Sequence, residues 1–216
     1  MNHIILFDLD GTLTDPKEGI TKSVQHALQA YGIDEPDLDK LCPFIGPPLS
    51  ASFKEYYGFS EAQAREAIGY FHDYFTKQGL FENKVYPGIT HLLKKCREQG
   101  KKVILATSKP QIYAKQILKH FELAEYFDDI QGSSMDGSKI HKEDVIQSAL
   151  SDNQITDMQE VLMIGDRKHD VLGSGKFGIS CVGVLYGYGS REELETCGAK
   201  WIVDTVEDLE AFLERI

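Results

Sequence analysis

Two patterns of apolar and polar positions alternate along the chain. Ile4, Ile5, Leu6 and Phe7 form an unbroken apolar run with no helical period, and the run stops at Asp8-Leu9-Asp10-Gly11. This is the pattern of a strand buried on both faces of a parallel sheet. It returns at Val103-Ile104-Leu105-Ala106 ahead of Thr107-Ser108-Lys109, at Val161-Leu162-Met163-Ile164 ahead of Gly165-Asp166, and at Cys181-Val182-Gly183-Val184. Shorter versions lie near Ile130 and at Trp201-Ile202-Val203. Between the runs, apolar residues step by three and four: Ile89, Leu92, Leu93 and Cys96 before Gly100, then Ile112 to Phe121, Lys142 to Leu150, a stretch around Val171 and a last one reaching Ile216. Helical patterns that separate strand patterns predict a parallel sheet with right-handed crossovers, an α/β fold of the Rossmann-like three-layer α/β/α kind.

Residues 15–85 follow a different pattern. Ile20, Val24, Ala27, Leu28 and Tyr31 predict a helix from Lys17 that stops at Gly32, with Pro16 as its start signal. A broken stretch from Asp34 to Pro48 carries Pro36, Pro43, Gly46 and the Pro47-Pro48 pair. A second helix is expected over Leu49 to Tyr57. Ser60, with Gln63 three residues on, reads as the cap of a third that runs through Ala64, Ala67, Ile68, Phe71, Tyr74 and Phe75 to Gln78. No strand-like run interrupts this block. The chain therefore divides into an α/β core of residues 1–14 and 86–216 and a small all-helical insert of residues 15–85. A unit of roughly seventy residues buries a limited core, so the insert is expected to lean on the body, either as a lid over the strand ends or as a rigid subdomain.

The totals narrow the class. At 216 residues, 42% hydrophobic and 26% charged, the chain is ordinary for a water-soluble protein with one sizeable core. It has no run long enough to span a membrane, and its first residues lack the basic start and cleavage site of a signal peptide. A cytoplasmic location, without a membrane partner, is the expectation. Cys42, Cys96, Cys181 and Cys197 show no CxxC spacing and read as reduced thiols. A formal charge of −11 argues against a nucleic-acid polymer as partner, because such binding needs many Lys and Arg contacts to phosphates. A small phosphorylated metabolite needs only a local positive pocket. A monomer and a homodimer are both compatible with these totals.

Three predicted strands end in polar groups suited to one site: Asp8 and Asp10, Thr107 and Ser108, Asp166 and Asp170. Ligands of open α/β sheets bind at this carboxyl edge. A calcium loop counted from Asp8 would need Gly at its sixth position and Glu at its twelfth, where Leu13 and Gly19 stand. Carboxylates gathered this closely repel by about 4 kcal/mol per close pair at an effective dielectric near 20, so they require a cation. Oxygen-only ligands suit Mg²⁺.

The residues Asp8-Leu9-Asp10-Gly11-Thr12-Leu13-Thr14-Asp15 resemble the first motif of the haloacid-dehalogenase-like (HAD) superfamily. Thr107 matches its second motif, Lys142 its third, and Gly165 to Asp170 its fourth, GDxxxD. The resemblance covers the whole chain and keeps the motif order. It implies the HAD fold with a helical cap after the first motif, Asp8 as nucleophile and Asp10 as general acid and base. It also implies Mg²⁺ held by Asp8, the backbone carbonyl of Asp10 and Asp166, with Asp170 behind them. Thr107 and Lys142 would hold the phosphoryl group, with Lys139 near enough to compete for the second role. Further phosphate or substrate contacts are expected from Leu9, Gly11, Thr12, Ser108, Lys109 and Arg167, and from Gly46 and Lys54 in the cap.

These parts imply a phosphatase acting through an aspartyl-phosphate, with phosphoglycolate-phosphatase-like and 5′-nucleotidase-like enzymes the nearest subgroups. Dehalogenation shares the nucleophile but has no use for a proton donor at Asp10. A sugar-phosphate mutase shares both aspartates and stands as the alternative. A phospho-accepting signalling module that does not turn over is the rival from another class. Tyr56, Tyr57, Phe71, Tyr74 and Phe75 read as helix core or as a base-stacking surface. The loop Tyr186-Gly187-Tyr188-Gly189 either lines the rim of the site or only turns the chain.

Overall fold

The computed structural model describes residues 3–216. The chain forms two compact units, one made of the residues up to Asp15 together with Val85–Ile216, the other of Pro16–Lys84. In chain order the elements are β1 (Ile4–Phe7), β2 (Thr14–Asp15), α1 (Lys17–Gln29), α2 (Leu49–Tyr57), α3 (Glu61–Tyr74), β3 (Lys84–Val85), α4 (Ile89–Glu98), β4 (Lys102–Pro110) and α5 (Gln111–His120). They continue as β5 (Asp129–Ser133), α6 (Lys142–Asp152), β6 (Val161–Gly165), α7 (Lys168–Gly175), β7 (Ser180–Val184), α8 (Arg191–Thr196), β8 (Trp201–Val203) and α9 (Val206–Leu213).

In the larger unit six strands pair in parallel in the order β5-β4-β1-β6-β7-β8. Register decides where the chemistry falls. Phe7 stands opposite Leu105 on one side and Ile164 on the other, so the residues following these three positions emerge at a common edge. The Asp8 N–H donates to the Ile164 carbonyl at 2.9 Å, which carries the pairing one residue further. Alternate side chains of the central strands face opposite layers. Leu6, Ile104 and Met163 pack with Val145, Ile146 and Val171 from α6 and α7. Ile5, Phe7, Val103 and Leu105 are buried as well, so both faces of the sheet are covered. Each such side chain removed from water contributes about 1.5–3 kcal/mol, which is why an unbroken apolar run is stable only in this position. The four cysteines are free thiols. Among the described residues no helix is long and apolar enough to cross a membrane.

The smaller unit is helical. Ser60 caps α3 reciprocally with Gln63. A 3-10 helix, Leu38–Phe44, occupies part of the stretch that the prolines break. Its core includes Phe44 against Phe53, with ring centres 5.0 Å apart, and Phe53 stacked on Phe59 at 5.6 Å. Phe71 and Phe75 are buried, which removes both from any base-stacking surface. Tyr56 is 47% exposed.

Strands β2 and β3, of two residues each, were not expected, and β4 and α8 also differ from the sequence expectation. Strand β4 continues past Ala106 to Pro110 through an irregularity in its pairing with β5, where Thr107 faces Gly132 and Pro110 faces Ser133. A Cβ on Gly132 would lie 2.6 Å from the Lys109 carbonyl, so the bulge depends on a glycine in the neighbouring strand. Helix α8 was not expected, because Leu194 is its one buried residue and gives no periodic signal.

Candidate active site

The first loop is held together by its own backbone. The Leu9 carbonyl accepts the N–H groups of Thr12, Leu13 and Thr14 at 3.2, 2.9 and 3.0 Å. Gly11 has φ 83°, and a Cβ there would stand 2.2 Å from Asp166 Oδ2. Only glycine satisfies both the turn and the carboxylate beside it. The Gly11 N–H donates to the Thr14 carbonyl at 2.8 Å. Gly11 therefore makes room for Asp166, and its own N–H is engaged within the loop. Thr12 Oγ1 is buried with no hydrogen-bond partner among the described residues.

Lys142, at the start of α6, reaches the sheet edge. Its ammonium lies 2.7 Å from Asp8 Oδ1, 2.9 Å from the Ala106 carbonyl and 2.7 Å from Asp170 Oδ1. The first two accept hydrogen bonds from it and the third is an ion pair, so one of the three ammonium donors remains. Burial works against the charge, but Asp170 and Asp8 outweigh it and hold the group protonated far above neutral pH. Lys139 is elsewhere, donating to Gln131 Oε1 at 3.1 Å, so of the two lysines it is Lys142 that reaches Asp8.

The bulge in β4 turns Lys109 inward, as bulges beside active sites do. Its Nζ lies 2.6 Å from Asp10 Oδ2, both side chains being almost wholly buried. Asp10 Oδ1 is buried with no hydrogen-bond partner among the described residues. Burial raises the Asp10 carboxyl above its ordinary value against the opposing pull of Lys109. Lys109 was expected at the phosphate and is found on the general-acid candidate. Thr107 Oγ1 accepts the Lys109 N–H at 3.2 Å. It does not cap α5, which starts from Pro110 with no side-chain cap. The Thr107 hydroxyl proton is left to donate, and Ser108 beside it is half-buried.

Asp8, Asp166 and Asp170 each offer a buried carboxylate oxygen within 4.8 Å of the others. Asp166 is fully buried, and its Oδ1 has no hydrogen-bond partner among the described residues. Burial pushes its carboxyl well above the usual carboxylate range, and the charges of Asp170 and Asp8 add to the shift. Asp170 is raised to about 6, by burial first, against the pull of Lys142. Its Oδ2 accepts the Arg167 N–H at 3.0 Å, while its Oδ1 lies 2.7 Å from the Lys142 ammonium as an ion pair and has no hydrogen-bond partner among the described residues. A cluster of acids whose charge is suppressed, with Asp166 Oδ1 and Asp170 Oδ1 buried without hydrogen-bond partners among the described residues, fits a hard divalent cation with oxygen ligands.

Three further expected residues have partners or positions of their own. Arg167 places its Nε 3.0 Å from Glu193 Oε1 on α8, a partner the sequence did not reveal. Gly46 and Lys54 belong to the helical unit, where Gly46 has φ 101° and Lys54 pairs with Glu61 at 2.9 Å. The loop Tyr186–Gly189 was left open between two roles. It packs directly on Asp166, through the Tyr188 N–H to Asp166 Oδ2 at 2.7 Å.

Known proteins resemble this chain. The family model described as haloacid dehalogenase-like hydrolase matches residues 5–184. A protein named 5′-nucleotidase from Pseudomonas aeruginosa is 50% identical over 190 residues, 88% of this chain and 86% of that one. Tyrosine-protein kinase PtkA of Mycobacterium tuberculosis is 37% identical over 193 residues, 89% of this chain and 65% of that protein. The crystal structure of a predicted phosphatase from Clostridium acetobutylicum matches with a TM-score of 0.97 at 49% identity, covering 100% of both chains. The family match takes in the first strand and every motif along the sheet edge as far as β7, and on that ground the chain belongs to the haloacid dehalogenase-like hydrolases, among the phosphatases of that family.

Proposed function

We propose that the protein is a Mg²⁺-dependent phosphatase of small phosphate monoesters, acting through a phosphoryl group carried on Asp8, with a 5′-nucleoside monophosphate as first substrate and 2-phosphoglycolate as second. The observation that supports it most is the contrast between the two aspartates of one loop. Asp8 faces the Lys142 ammonium at 2.7 Å, whereas burial raises the Asp10 carboxyl towards its protonated form. Neighbouring carboxyl groups held in different environments are the pattern of a nucleophile beside an acid.

Lys142 holds Oδ1 of Asp8, and Oδ2 carries no hydrogen bond among the described residues. Oδ2 attacks phosphorus, and the bond from phosphorus to the leaving oxygen breaks. Asp10 gives its proton to that oxygen, and the carboxylate left behind is balanced by Lys109 at 2.6 Å. Asp10 then takes a proton from a water that attacks the aspartyl-phosphate, which restores Asp8 and releases inorganic phosphate. The Thr12 and Thr107 hydroxyls and Lys142 hold the equatorial oxygens of the group in transit. Asp8, Asp166 and the Asp10 carbonyl would hold Mg²⁺, which when bound would supply positive charge to the phosphoryl oxygens and the carboxylates.

The pKa shifts give a test of the cation. Asp10, Asp166 and Asp170 are all raised in the folded protein, so between the ordinary carboxylate pKa and those raised values the folded state binds more protons than the unfolded one. Stability of the Mg²⁺-free protein therefore falls as pH rises through that window. Mg²⁺ binds the deprotonated ligands, so the rise in melting temperature it produces is expected to grow between about pH 5 and about pH 7.5. A rise that is equal or larger at the lower pH would contradict the assignment.

The substrate is tested by phosphate release across nucleoside monophosphates, 2-phosphoglycolate, sugar phosphates and pyrophosphate. A nucleoside monophosphate is expected to exceed 2-phosphoglycolate in kcat/KM by about tenfold or more, the equivalent of about 1.4 kcal/mol. The reverse ratio would move the assignment to the smaller acid. An isomerised sugar phosphate would identify a mutase, and a single equivalent of phosphate a signalling module.

A further inference from the structure

The loop that leaves β7 closes on Asp166. Besides the Tyr188 N–H on Oδ2 at 2.7 Å, the backbone of two glycines is pressed against this residue. A Cβ on Gly187 would stand 2.4 Å from Asp166 Cβ, 2.5 Å from its Oδ2 and 2.2 Å from the Gly11 carbonyl. One on Gly189 would stand 1.8 Å from the Asp166 carbonyl. No side-chain carbon is accommodated at such distances. Both tyrosines anchor the loop. Tyr186 donates its hydroxyl to the Thr12 carbonyl at 3.1 Å and packs edge-on against Tyr86, and the Tyr188 hydroxyl donates to the Asp15 carboxylate. One oxygen of Asp166 is thereby fixed by a neutral donor, and the other is buried and unpaired.

We propose that Gly187-Tyr188-Gly189 is a positioning element that fixes the Asp166 side chain so that Oδ1 is presented to the divalent cation. The inference rests on the reading of Asp166 as a ligand of that cation and adds to it a named source of its orientation. Ligand distances in metal sites are held within about 0.2 Å, and a carboxylate free to rotate about its own bonds would not meet that requirement. A neutral N–H suits the task, because it orients Oδ2 without competing, as a lysine would, for the charge that the cation needs.

The test is Mn²⁺ binding to the metal-stripped full chain, followed by electron paramagnetic resonance without substrate. Gly187→Ala is expected to weaken binding by about tenfold or more, the range seen when residues that orient metal ligands are changed. Gly69→Ala, where an added Cβ meets nothing within 4 Å, is expected to bind as the wild type does. In an Asp166→Asn background Gly187→Ala should add nothing further, because the ligand it positions is already lost. Wild-type affinity in Gly187→Ala, with Asp166→Asn weakened, would overturn the inference while leaving Asp166 a ligand. Additive losses in the double variant would also overturn it, as a general structural effect. Wild-type affinity in Asp166→Asn would instead remove the underlying reading. Where circular dichroism shows that Gly187→Ala does not fold, the wild-type Tyr188 amide resonance decides: a shift among the largest in the chain on Mg²⁺ titration supports the element, and an unmoved resonance contradicts it.

Discussion

Asp8→Asn is expected to lower kcat by on the order of a thousandfold or more, with KM unchanged or lower. The amide is nearly isosteric with the carboxylate and its oxygen still accepts from Lys142, so the sheet edge and the packing behind it are undisturbed. What is lost is the charged oxygen that forms the bond to phosphorus. Removing a negative charge from beside a phosphate dianion also weakens a repulsion in the ground state, which is why binding should not suffer. Initial rates of phosphate release over a range of substrate concentrations separate the two constants. Turnover near that of the wild type would remove Asp8 from its role.

Lys142→Met should fail in a second way. The ammonium is wholly buried between Asp8 and Asp170 and also meets the Ala106 carbonyl. Breaking a buried ion pair from one side costs about 3–5 kcal/mol, because the remaining charge is left without a partner. Here two carboxylates are left, with Asp166 close by. Stability measured by denaturant unfolding is expected to fall by an amount in that range, and Mg²⁺ should restore part of it by supplying positive charge to the same cluster. Activity should fall about 10²- to 10³-fold, the usual cost of removing one donor to the developing charge. Lys139→Met, which removes only a contact to Gln131, provides the comparison. Equal effects of the two substitutions would contradict the placement of Lys142.

How much of this could be read from the residues follows from which contacts are local. Ile4 to Phe7, Val103 to Ala106 and Val161 to Ile164 are unbroken apolar runs, and only the interior of a parallel sheet accommodates several of them. Because Phe7, Leu105 and Ile164 share one line of register, polar residues that follow those runs are brought to one edge. The order of the motifs along the chain was therefore enough to assemble Asp8, Thr107 and Asp166. Lys109 was placed at the phosphate because its contact with Asp10 depends on a bulge, and the bulge depends on Gly132 in the next strand. Nothing within a few residues of Lys109 encodes it. The grip of Gly187 and Gly189 on Asp166 was hidden for the same reason. A Tyr-Gly-Tyr-Gly segment reads locally as a turn, and only the approach of Asp166 shows why an alanine is excluded. The pairing of Arg167 with Glu193 was hidden because Glu193 lies on α8, a helix of six residues whose single buried side chain leaves no period to detect.

The covalent step is the claim on which the rest depends, and it can be observed on the side chain itself. Enzyme quenched in acid during turnover and reduced with borohydride converts an acyl-phosphate to an alcohol, which peptide mass spectrometry locates. The account predicts homoserine at position 8 after incubation with substrate and Mg²⁺, and none at position 8 when substrate is omitted. Reduction at Asp10 or Asp166 with position 8 intact, or no reduced carboxylate under conditions of steady phosphate release, would contradict it.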